Sequence, residues 1–226
     1  GRTVTRGRAR AVERDWSDMS GTQQPGPHNL AGAGTSSSAR LAPYLTSASG
    51  NGRGALRLYR WNIELSAAAY QALHVFEVVM RNAMDEQLCR WNATQPDPAT
   101  PGRLHGSEWL IDPSHLLVRL IKLDKLETAR SLARRAVRGR NRQPSHGDVL
   151  AQLSMGTWRF LMPSRSDPGR QLLWVDALSG AFPHLQRGVD QIVDDVELIY
   201  RLRNRVAHLE PLLRAGEPAS VDQHHR

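Results

Sequence analysis

Arg203, Asn204 and His208 stand within six residues of one another, at the end of an apolar-periodic segment where a packing helix should turn polar and stop. Arg201 and Arg205 raise the local arginines to three. An arginine holds a phosphate through a bidentate fork, and a histidine moves a proton near neutral pH. Those are the two parts that RNA cleavage without a metal requires. At about 100° per residue, Glu197, Arg201, Asn204 and His208 share one stripe of a helix, while Arg203 lies about 140° from His208. One helix therefore does not aim Arg203 and His208 at one phosphate, but a second copy packed about a two-fold axis would. The plainer alternative is cations gathered at a helix C-terminus, where the dipole favours them. Asn204, a poor helix former with no capping duty, speaks for the chemical reading.

Three further polar residues, Glu77, Arg81 and Asn82, interrupt an otherwise apolar run from Leu73 to Met84. Glu77 and Arg81 stand four apart with the acid first, the favoured order for an ion pair along a helix. They read equally as a structural brace or as the lining of a functional cavity. Between Arg119 and Arg142 nine basic residues face two acids, in a chain whose net charge is +8. That concentration favours a polyanion, nucleic acid before anionic membrane. Arg134, Arg135, Arg138, Arg140 and Arg142 are its candidate RNA contacts, the alternative being a solvated helix face.

Other chemistries find little support. A single cysteine, Cys89, allows neither an internal disulfide nor a cysteine-based metal site, which fits a reducing cytosol. Seven histidines (28, 105, 115, 146, 184, 224, 225) fall in loops, tails or a helix start without metal spacing, and His74 reads as core or interface. The expectation is no metal and no cofactor. No glycine pattern cradles a phosphate, and neither Ser66 nor Ser154 has triad partners in view. Trp158 and Trp174 could stack bases but fit a core better.

The positioning elements are helices. Apolar steps of three and four run through Leu56–Trp91, Ser114–Arg138, Asp148–Leu161 and Val189–His208, with a short helix over Trp174–Ala181. Leu132 and Leu202 fall on the expected buried faces. Pro/Gly-rich Thr94–Gly106 and Arg-rich Gly139–Gly147 read as loops, and no period-two strand pattern is found. Residues 1–37 are expected to be a disordered basic and polar tail, 38–214 one helical domain, and 215–226 a second short tail. With 226 residues, one ordinary domain plus tails is the natural division. No apolar run approaches the length of about 18 residues that spans a bilayer, and no signal-like segment opens the chain, so a cytoplasmic protein is expected.

Five separated blocks resemble the Abi-like, abortive-infection family within the HEPN superfamily of helical RNA- and nucleotide-handling domains. They are Arg40-Leu41-Ala42-Pro43-Tyr44-Leu45, then Leu58 through Ser66, Leu73 through Ala83, Leu153-Ser154-Met155-Gly156-Thr157-Trp158, and Arg203-Asn204-Arg205-Val206-Ala207-His208. The resemblance covers about Ser38 to Leu213. It implies a four- to five-helix bundle that dimerises and joins two Arg–polar–spacer–His motifs into one cleft, with Arg203, Asn204 and His208 as the catalytic set. Two positions depart from the family pattern: Leu209 stands where a second histidine is frequent, and Thr157 where an aromatic is common.

The expected function is a metal-independent endoribonuclease of the toxin type, stopping host growth on phage infection. RNA and a second copy of the chain are its expected partners, with room for a cognate antitoxin and none for a membrane. Two alternatives stand beside it. One is a non-catalytic module binding RNA, nucleotide or protein through the same groove. The other is a partner or target of a nucleotidyltransferase.

Overall fold

The computed structural model describes residues 35–212 except 187. The two expected tails lie outside these residues, apart from 35–37, which open the first helix. Eight α-helices and one short 3-10 turn are present among the described residues, with no strand beyond two isolated bridge pairs. The all-helical bundle expected from the sequence is the observed class.

Helix α1, Thr35–Ser47, lies ahead of the first expected helix and carries Pro43 inside it. Tyr44 is its buried anchor, meeting the ring of Tyr59 edge-on with centroids 5.4 Å apart. Helix α2, Gly52–Asn92, is the spine, 41 residues long and therefore about 60 Å from end to end. Asn51 caps its start by accepting the Gly54 N–H at 3.0 Å. Leu73, Met80, Met84, Leu88 and Trp91 form its buried stripe. At its far end the fully buried Asn92 acts as a staple. Its amide donates to the carbonyls of Gly106 (2.6 Å) and Asp112 (2.8 Å), and its oxygen accepts the N–H of Ser114 at 2.9 Å. One side chain thus fixes the entry to the next helix.

The expected helix Ser114–Arg138 is two: α3, His115–Ile121, and α4, Leu123–Ala136. Lys122, at φ +70°, breaks it. The signal was in the spacing, because the buried residues step by five from Ile121 to Leu126, which no straight helix keeps on one face. Past the break Ala129 and Ala133 face inward, and Leu132, expected in the core, is 40% exposed. The expected helix from Asp148 to Leu161 also divides, into α5, His146–Leu150, and α6, Met155–Leu161. Its N-cap is Ser145, three residues ahead of the expected start. Ser145 accepts the Asp148 N–H, and the Asp148 carboxylate accepts the Ser145 N–H at 2.7 Å, a reciprocal box.

Helix α7, Pro168–Asp176, starts earlier than expected because Asp167 caps it and Pro168 opens its first turn. The 3-10 turn Leu178–Ala181 follows, and α8, Val189–Ala207, closes the fold. Helices α1, α6, α8 and the 3-10 turn all pack on α2, while α3 bridges α4, α6 and α7. Trp109 and Trp158 sit fully buried at the centre, edge to face at 6.2 Å. Trp158 and Trp174 are therefore core residues, not base-stacking surfaces.

Candidate functional site

Helix α8 turns Val196 and Val206 into the core and lies against α2 and α6. Leu202, expected in that core, is 38% exposed. The end of α8 is tied down in three ways. His208 is the C-cap, and its N–H reaches the carbonyl of Asn204 at 2.9 Å. Leu209 then takes φ +55°, so that its N–H bonds to the Val206 carbonyl (3.1 Å) and that of Glu210 to the Arg205 carbonyl (2.9 Å). This is a Schellman closure, with a leucine where glycine is usual. Beyond it, the buried Asn62 of α2 accepts the N–H of Leu212 at 2.7 Å, and Arg205 folds back onto the Pro211 carbonyl.

The left-handed turn gives a physical meaning to the departure at Leu209. That position lies outside the helix, and a histidine enters φ > 0 more readily than a leucine does. Replacing Leu209, which is 61% exposed, with glycine relieves about 1–2 kcal/mol of left-handed strain against about 0.4–1 kcal/mol of added unfolded-state entropy. Leu209→Gly is expected to gain about 0.5–1 kcal/mol in urea unfolding. A loss of stability would show that the Leu209 side chain packs on something essential.

The three arginines divide by partner. Arg201 reaches Glu197 on its own helix at 2.9 Å, and Arg205 is spent on the chain turn. Glu197 also takes Arg159 of α6, whose guanidinium lies 4.9 Å from the centre of the Tyr200 ring. Burial pushes the Glu197 carboxyl up, but its hydrogen bonds from Arg201 and Arg159 outweigh that and leave it below its usual range. Arg203 points to α2, where its Nε lies 3.5 Å from Glu77 Oε2. The expected Glu77–Arg81 pair is therefore replaced by a contact between helices. Arg81 instead meets the Asn82 side chain at 3.4 Å. The structure thus joins two segments that sequence spacing left unconnected, with Glu77 holding Arg203 by one edge. Among the described residues, neither terminal guanidinium nitrogen of Arg203 has a hydrogen-bond partner.

His208 and Arg203 leave α8 about 140° apart, and no contact joins their side chains among the described residues. His208 is exposed at the C-cap, Asn204 is half-buried one turn earlier, and Arg203 is on the α2-facing side. A groove of about 750 Å³ lies at the opposite end of α8, lined by Trp174, Val189, Asp190 and Val193, and does not include them.

The basic stretch is sorted by its ion pairs. Arg130 braces the Leu110 and Ile111 carbonyls at 2.8 and 2.9 Å, Arg119 meets Asp167 at 3.1 Å, and Arg142 meets Asp148 at 2.9 Å. Arg134 stands 4.0 Å from Glu127. Arg135, Arg138 and Arg140 are exposed and, among the described residues, make no ion pair. Arg134, Arg138 and Arg142 line an open pocket of about 470 Å³ around Gly139.

The readings that found no metal spacing and ruled out a cysteine-based metal site are corrected at one place: Asp85, Cys89 and His146 bring their donor atoms within 4.8 Å of one another, close enough to hold an ion. Asp85 and Cys89 are one helical turn apart, a visible pair, but His146 joins them only through the fold.

No family model matches the chain, and no curated protein or solved structure was found to match it. No helix among the described residues is long and apolar enough to cross a membrane.

Proposed function

We propose that the protein is a metal-independent endoribonuclease of the Abi-like, HEPN type, acting as a toxin-like defence effector through a site shared by two copies of the chain. One observation carries the reading. Glu77 holds Arg203 with its phosphate-binding edge free, while His208 stands open to solvent on another side of a rigidly closed helix end. Solvent-open aliphatic side chains on the two helices that bear these residues support the dimer: Val75 and Val79 on α2, Leu198 and Leu202 on α8.

In the proposed reaction a ribose 2′-hydroxyl attacks its own 3′-phosphate. His208 removes the hydroxyl proton or delivers one to the departing 5′-oxygen. Arg203 neutralises charge on the phosphorane, and Asn204 positions the phosphate or orients His208. Proton transfer and charge neutralisation both come from side chains, so no step calls for a metal. The products are a 2′,3′-cyclic phosphate and a 5′-hydroxyl. Incubation of the purified protein with total RNA, with and without EDTA, followed by analysis of fragment ends, tests this. Cyclic phosphate ends formed in EDTA are expected. RNA that is bound but never cut would favour a non-catalytic binding module, and cleavage only without EDTA would overturn the metal-independent step.

The arginine loop supplies backbone contact without reading sequence. Changing Arg135, Arg138 and Arg140 together to glutamine should lower the slope of log K against log salt by about 2 for single-stranded RNA. An unchanged slope would take the loop out of the interface.

A further inference from the structure

Asp85 and Cys89 occupy one face of α2, and His146 reaches them as the first residue of α5. His146 Nε2 lies 2.9 Å from Asp85 Oδ1 and 3.8 Å from Cys89 Sγ. The surroundings are built to hold these groups. His146 is nine-tenths buried, and the fully buried Trp109 packs its ring edge-on to the imidazole, with centroids 6.0 Å apart. The same Trp109 donates its indole N–H to Asp85 Oδ1 at 2.8 Å, fixing the carboxylate.

Asp85 and Cys89 are partly buried beside the buried His146, so a carboxylate, a thiol and an imidazole share one largely desolvated pocket. The buried Nδ1 of His146 has no hydrogen-bond partner among the described residues. In the metal-free chain Nε2 donates its proton to Asp85 Oδ1, and a bound cation would take that proton's place, the ring proton moving to Nδ1.

The geometry points to a transition-metal site of the zinc type, with Asp85, Cys89 and His146 as three protein ligands and water in the fourth position. Thiolate, imidazole and carboxylate together suit zinc and disfavour the hard cations magnesium and calcium. Tetrahedral zinc places such donors about 3.3–3.6 Å apart, so the Cys89–His146 spacing closes by about 0.2 Å and the Asp85–His146 spacing opens by about 0.4 Å. Binding releases the Cys89 proton to solvent. Because His146 directly follows the arginine loop, the metal would anchor that loop to α2. This site is separate from Arg203 and His208 and stands whether or not the protein cleaves RNA.

Titration of the metal-stripped full chain with cobalt(II) tests the site by absorption spectroscopy. One equivalent is expected to bind with a thiolate-to-cobalt charge-transfer band in the near ultraviolet, and zinc should displace it. Cys89→Ser should lose that band while keeping its helical circular dichroism. Asp85→Asn keeps an acceptor for Trp109 and should weaken cobalt binding at least as much as the loss of an outer-shell partner does, about 10–100-fold. Should Cys89→Ser fail to fold, Asp85→Asn decides the matter. No charge-transfer band in the unaltered chain, a band that survives Cys89→Ser, or undiminished affinity in Asp85→Asn would each overturn the proposal.

Discussion

His208→Ala is expected to lower RNA cleavage by about a hundred- to ten-thousand-fold, the range a positioned general acid or base contributes. The substitution is a clean probe because of where His208 sits. Its side chain is exposed, and its structural duty is discharged by its main-chain N–H to Asn204, which alanine retains. The turn that follows is closed by main-chain bonds of Leu209 and Glu210 and by Asn62, none of which uses the imidazole. The stability lost should not exceed the helix-dipole contribution of a terminal cation, about 0.3–1 kcal/mol. Cleavage rates on a defined RNA, read beside circular dichroism and thermal unfolding, separate the two effects. An alanine variant that cleaves at the wild-type rate with unchanged fragment ends would remove His208 from the reaction.

The double variant Leu198→Asp, Leu202→Asp is expected to be a folded monomer that has lost cleavage. Both side chains are open to solvent, at 67% and 38% exposure, so the isolated bundle loses little by the change. They lie about 80° and 120° around α8 from His208, flanking the polar stripe without belonging to it. In a two-fold dimer each new carboxylate meets an apolar surface and its own symmetry copy. Opposed like charges of this kind cost about 4 kcal/mol, about a thousandfold in Kd. Sedimentation velocity reads the oligomeric state, and the cleavage assay reads the site. A monomer that cuts normally would sink the shared-site reading, because Arg203 and His208 would then act within one chain. A dimer that persists with full activity would place the interface elsewhere.

The class of fold was legible because periodicity reports which face of a helix is buried. Leu73, Met80, Met84 and Leu88, at steps of four and seven, and Val196 and Val206 on the last helix, were all visible in this way. Helix breaks were harder to see. A single residue at positive φ, Lys122, redirects the chain without disturbing the composition around it, and only the five-residue step betrays it. The exposure of Leu132 and Leu202 was hidden for another reason. A helix pattern marks an apolar stripe, but the stripe can be wider than the neighbour that covers it.

The same division runs through the candidate sites. Residue type and local spacing were enough to single out Arg203, Asn204 and His208 as candidates, to set Arg203 and His208 on different sides of one helix, and to mark the arginine loop as a candidate polyanion contact. Only the packing of α8 on α2 decided that Glu77 partners Arg203 and not Arg81, since an i, i+4 pair and a contact between helices look alike until the second helix is placed. Only the tertiary structure could bring His146 to Asp85 and Cys89, which lie 61 and 57 residues away along the chain. Local spacing fixes what one element presents on each face, and the closing of the core fixes which faces meet.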